Sequence, residues 1–246
     1  MTARREIWPG VFQTEQPYLR PSLSPKSESE SLDPPARVMV SVAHPDDADF
    51  GCAGTMAKWS SEGAEILLVV ATSGDKGTSD PNISPEMLAV TREEEQRSAA
   101  TLLGVKQVVY FRYGDGGLED TKDYRGRVVR EIRRWKPDVV IALEPYPGRH
   151  FSHRDHRISG LVTSDACFPY CRDRLHYPEH LAEGLEPHKV GTVLFMGPGE
   201  ADVFVDVTDW MHKKIEALAE HASQISDVSR IDESIRRWGS VTGELL

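Results

Sequence analysis

The 246-residue chain has only three cysteines, Cys52, Cys167 and Cys171, and no two form a C-x-x-C pair. An odd, scattered set excludes a disulfide scaffold and a cysteine-rich structural metal site, and makes a reducing cytoplasm the expected location. No stretch approaches the ~18 consecutive apolar residues of a membrane span. The basic residues near Met1 have no apolar run behind them, so a secretory signal is not expected. There is no long basic run, and 29 Lys and Arg against 39 Asp and Glu leave a net charge of −10, which argues against a nucleic-acid partner. The G-x-S-x-G elbow of serine hydrolases is absent. So are G-x-G-x-x-G after the first strand and G-x-x-x-x-G-K-[ST], which removes dinucleotide and P-loop readings.

What is present divides the chain in two. Residues 1–36 hold the Ser-, Pro- and Glu-rich run Pro21–Pro35, which cannot bury enough apolar surface to offset its chain entropy. They read as an N-terminal arm, extended or partly disordered. It could pack on the domain or on a neighbouring subunit through Trp8, Phe12 and Tyr18, which leaves a homo-oligomer open. Residues 37–246 read as one domain. Apolar runs at 38–43, 66–71, 108–111 and 139–143 have strand length and β-branched content. Helical patterns fall between and after them at 51–62, 85–103, 121–135 and 153–166. Ser84-Pro85 supplies an N-cap and first-turn proline, and Lys136-Pro137 a stop. Late strands are expected near 193–196 and 203–207, loops over 168–190, and a helix over 208–225 with Met211, Ile215, Leu218, Ala222 and Ile225 on one stripe. Strand–helix alternation of this kind predicts an α/β, mainly parallel sheet with helices on both faces. Ligands bind beyond the carboxyl ends of such strands.

Two polar clusters stand at such ends. Ala43-His44-Pro45-Asp46-Asp47-Ala48-Asp49 follows the first strand, and His150-Phe-Ser-His153-Arg-Asp155-His156 follows the fourth. His and Asp bind borderline cations such as zinc at neutral pH. Two adjacent carboxylates cannot both point the same way, so one can ligate while the other moves protons. The bland alternative is a polar turn in which Asp46 or Asp47 caps the next helix. The first and fourth strands can flank the crevice of a doubly wound sheet. His44, Asp47 and one histidine of the second cluster could then close a three-ligand site with an open position, the catalytic zinc arrangement. Thr72–Gly77 and Tyr113–Gly117, each with Gly and Asp, occupy the other two strand ends. Arg92 falls on the inward stripe of its helix with Leu88, Ala99 and Leu102. It either pairs with Glu95 or reaches the crevice.

With these motifs in hand, the sequence resembles the PIG-L/LmbE-like zinc-dependent N-deacetylases over about residues 37–226. The resemblance is carried by AHPDDADFGCAGT at 43–55, TSGDKG at 72–77, TREEE at 91–95, GDGGL at 114–118, HRDH at 153–156 and the late H-x-S-Q of His221–Gln224. It implies a Rossmann-like fold and one zinc ion per chain held by His44, Asp47 and His156. It makes Asp46 the general base and His153 the general acid or oxyanion partner. It places Arg92, Asp115 and Asp75 as substrate contacts, and implies hydrolysis of an N-acyl group from an N-acetylglucosamine-type or related glycoconjugate. The chain departs from the common pattern at Ala48-Asp49, Asp75 and Arg154. None of these is an implied ligand, but Asp75 and Arg154 bear on substrate contacts. A non-catalytic sugar- or nucleotide-binding module and a metal-dependent phosphoesterase are the competing readings.

Overall fold

The computed structural model describes residues 4–14, 35–147, 151–197 and 203–244. The chain opens with a hairpin of β1 (Arg4–Trp8) and β2 (Val11–Thr14). The alternating core follows: β3 (Arg37–Val42), α1 (Asp47–Ser61), β4 (Glu65–Thr72), α2 (Pro85–Leu102), β5 (Gln107–Tyr113), α3 (Lys122–Trp135), β6 (Val139–Leu143) and α4 (Arg154–Asp165). After it come the short α5 (Glu179–Ala182), β7 (Thr192–Met196), β8 (Val203–Val205), α6 (Met211–Ala219) and α7 (Val228–Glu244).

The main sheet is parallel, in the order β5-β4-β3-β6-β7. The chain moves outward from β3 through β4 to β5, then crosses back to β6 and β7. Right-handed crossovers therefore put α1 and α2 on one face and α3 and α4 on the other. Packing agrees: α6 lies against α1 and α2, while α3 and α4 lie together against β3. The order reverses between β3 and β6, which is where a crevice opens in a doubly wound sheet. Val38, Val40, Ile66, Leu68 and Ile141 are buried in the sheet, and strands covered on both faces read as continuous apolar runs for that reason.

Three regions differ from the expectation. Residues 4–14 of the arm form the hairpin, whose β2 pairs antiparallel with β8 in a separate three-stranded sheet. The side chains of Trp8 and Phe12, and all of residues 15–34 including Tyr18, lie outside the described part. The helix expected over 208–225 stops at Ala219 because His221 is drawn inward and fully buried. A second helix, α7, then packs Ile231 and Ile235 on Leu218 and Ile225. The segment 168–190, expected as loops, is mostly irregular but firmly anchored. Arg133, 1% exposed, donates to the carbonyls of Tyr170, Cys171, Asp173, His176 and Tyr177. Cys167 and Cys171 are free thiols buried at this helix end, as helix-end packing requires. Among the described residues, no helix is long and apolar enough to cross a membrane.

One glycine fixes the approach of α4 to the sheet. A Cβ on Gly160 would overlap the carbonyl of Leu143 at the end of β6. Gly160→Ala is expected to cost about 1–3 kcal/mol in urea unfolding.

Candidate active site

The crevice beside β3 and β6 gathers both polar clusters. Asp46 precedes α1 with φ 87° and ψ −26°, a left-handed conformation uncommon for a residue other than glycine. This turn sends Asp46 and Asp47 in different directions. The capping alternative is not realised, since neither side chain caps α1. Asp47 Oδ2 instead turns back to accept the backbone N–H groups of Ala43 (3.2 Å) and His44 (2.9 Å).

Asp47 Oδ1 lies 3.0 Å from His156 Nε2, and its Oδ2 lies 3.6 Å from His44 Nδ1. On its other side, His44 Nε2 approaches Asp115 Oδ1 at 3.1 Å and Asp155 Oδ2 at 3.4 Å. His153 stands edge-on to His44, with ring centroids 4.7 Å apart. Its Nδ1 accepts the N–H of Asp155, which leaves Nε2 to carry the proton of the neutral ring. Two sets of three donor atoms converge within 4.8 Å among the described residues: His44–His153–His156 and His44–Asp115–Asp155. Asp47 belongs to neither set; its Oδ1 and Oδ2 contact His156 and His44 separately. His150 lies outside the described residues.

Burial opposes charge on His44, but the surrounding Asp115 and Asp47 carboxylates outweigh it and push its pKa up to about 10. Burial likewise favours neutral Asp47, yet His156 and His44 hold its carboxyl well below the usual range. Asp46 goes the other way. Its burial, and then the charge of Asp47, push it up to about 6 against the pull of Arg92. Burial and then the charge of His44 lower His153, favouring its neutral form.

These residues fit a divalent cation. Three carboxylates surround one imidazole, and His44 Nε2 is buried without an aligned hydrogen-bond partner. A buried excess of carboxylate with a free nitrogen donor suits an ion that binds N and O ligands together.

Arg92 is buried and does not pair with Glu95. Its guanidinium donates to Gly74 O (3.0 Å), Pro45 O (2.8 Å) and Asp46 Oδ2 (3.1 Å). A side chain at Gly74 or Gly77 would occupy the space of that guanidinium, which accounts for both glycines of TSGDKG. Glu95 instead accepts from Ser223. On the same stripe, Leu88 and Ala99 are buried, but Leu102 is exposed and Leu103 takes the inward place. Asp75 and Asp115 are tied together, since the Asp115 N–H donates to Asp75 Oδ1 at 3.0 Å. Tyr177 is buried in the core, whereas Tyr146 is exposed.

Sequence reasoning gave Asp155 no role. It is fully buried and accepts the N–H groups of Gly116 (2.7 Å) and Leu118 (3.2 Å), fixing the GDGGL loop to the start of α4. Its place inside HRDH was the available signal.

Residues 39–167 match the family model described as "PIG-L: GlcNAc-PI de-N-acetylase". The chain belongs to the PIG-L family. It is 31% identical over 191 residues to the diacetylchitobiose deacetylase of Thermococcus kodakarensis, covering 78% of this chain and 71% of that protein. It is 29% identical to the 1D-myo-inositol 2-acetamido-2-deoxy-alpha-D-glucopyranoside deacetylase of Kineococcus radiotolerans, covering 80% of this chain and 71% of that one. The solved N,N'-diacetylchitobiose deacetylase of Pyrococcus horikoshii superposes with a TM-score of 0.80 at 30% identity, over 85% of this chain and 79% of that chain. The PIG-L match runs from β3 to just past α4, and so spans both polar clusters.

Proposed function

We propose that this PIG-L family chain is an N-deacetylase that releases acetate from the amine of an N-acetylglucosamine unit in a small glycoconjugate. The observation that carries the reading is the gathering of His44, His153 and His156 at the β3–β6 switch point, with Asp47 in contact with His44 and His156 and Asp46 held beside them by Arg92. His44, Asp47 and His156 would hold one zinc ion, leaving a position open. When bound, such an ion supplies Lewis acidity, polarising the amide carbonyl and acidifying water.

The chain's own residues do the rest. Asp46 takes the proton of the water that attacks the acetamide carbon. The His153 Nε2–H donates to the oxygen that gains charge, an interaction stronger in the transition state than in the ground state. Collapse breaks the C–N bond, and the proton taken by Asp46 goes to the leaving amine. Arg92 keeps Asp46 oriented and charged. Asp115 and Asp75 brace the loops at the crevice, where substrate hydroxyls would meet them.

The test is amine release from N-acetylglucosamine and diacetylchitobiose by zinc-loaded protein, read with an amine-reactive fluorophore. One amine and one acetate per amide cleaved is the expected result. Phosphate release from an aryl phosphate without amine release would overturn the reading in favour of a phosphoesterase.

A further inference from the structure

A buried polar chain links the far end of the sequence to Asp46. The Asp46 N–H donates to Gln96 Oε1 at 2.8 Å. Gln96 Nε2 donates to Asp49 Oδ2 at 2.7 Å. The same oxygen meets His221 Nε2 at 3.0 Å. Gln96, Asp49 and His221 are all fully buried. The directions follow from the inventory of donors and acceptors. Asp46 contributes a backbone N–H, so Gln96 must present its oxygen there and its amide nitrogen to Asp49. A carboxylate only accepts, so His221 must donate from Nε2. Each group fixes the orientation of the next.

The anchor of this chain is itself tied down. Downstream of His221, Ser223 donates to Glu95 through N and Oγ, both at 2.7 Å. Gln224 Nε2 donates to Gly77 O at 3.0 Å. The turn after α6 therefore grips α2 and the loop that also receives Arg92.

The strain at Asp46 explains why such a chain is needed. Left-handed backbone at a non-glycine residue persists only where the surroundings over-determine it. Relaxation to the ordinary β region would swing the carboxylate away from Arg92 and the crevice. We infer that Gln96, Asp49 and His221 form a positioning relay that holds Asp46 in its left-handed conformation and thereby sets the geometry of proton transfer. The inference rests on the proposed role of Asp46 as the general base. The late H-x-S-Q segment is then part of the catalytic apparatus without touching substrate. The departure at Ala48-Asp49 supplies the carboxylate that the relay uses.

The test compares Gln96→Asn, His221→Leu, His221→Gln and Asp46→Asn in zinc-loaded full-length protein. Gln96→Asn keeps the amide but shortens its reach. It is expected to lower kcat roughly 10–10²-fold, as misplacement of a reacting group by about 1 Å does, with KM within about twofold and bound metal unchanged. His221→Leu should do the same. His221→Gln, which can still donate to Asp49, should recover most of the loss. If His221→Leu does not fold, Gln96→Asn decides. Folded Gln96→Asn with kcat within twofold of wild type, beside an inactive Asp46→Asn, would overturn the relay alone. Full activity in Asp46→Asn would overturn the base assignment on which the relay rests. A matching loss of metal in Gln96→Asn would make the relay merely structural.

Discussion

Asp46→Asn is expected to lower kcat by roughly 10²–10⁴-fold, the usual contribution of a general base, while bound metal stays at the wild-type level. The substitution is close to isosteric. Asparagine is among the residues that tolerate left-handed backbone, so the turn at φ 87° is preserved. Its side-chain oxygen can still accept from Arg92 Nη2, now 3.1 Å from Asp46 Oδ2. What disappears is the capacity to take a proton. The measurement is single-turnover amine release beside metal content per chain. Retained metal with lost turnover separates Asp46 from its neighbour Asp47, whose oxygens face His156 and His44. Loss of metal would mean that the two aspartates have exchanged roles.

That distinction was only half legible in the sequence. The positions of both clusters could be read, because β3 and β6 are apolar runs of strand length, with His44 just after the first and His153 at the end of the loop after the second. The central parallel strands β3, β4 and β6 were legible for the same reason: strands buried on both faces have little freedom in composition. What periodicity cannot carry is contact between distant residues. Asp49 and His221 meet across 172 positions, and nothing local marks either as the other's partner. Arg92 was seen as a misplaced charge on an apolar stripe, and its true partners lie on two loops rather than on its own helix. Asp155 was hidden by its histidine neighbours. The α6 break was missed because the 3.6-residue stripe continues through Ala222 and Ile225, whereas burial of His221 against Asp49 outweighs helix continuation there.

The second large effect concerns the metal itself, and His156→Ala isolates it best. Asp47 is a poorer choice, since its Oδ2 also accepts two backbone N–H groups and its loss would disturb the turn. His156 is partly exposed, and among the described residues its one ion-pair contact is Asp47 Oδ1. Removing it costs little packing. A ligand that binds only the folded state stabilises it by about 2.7 kcal/mol at a hundredfold excess over Kd. For a chain of this size that corresponds to a rise of roughly 5–10 °C in Tm. Wild-type protein stripped with chelator should show such a rise on adding zinc, together with about one zinc per chain. His156→Ala should show neither, and should lose deacetylation with them. A rise that survived in His156→Ala would move the ion to the opposite side of His44, onto Asp115 and Asp155. Asp155→Asn would then be the substitution that abolishes it.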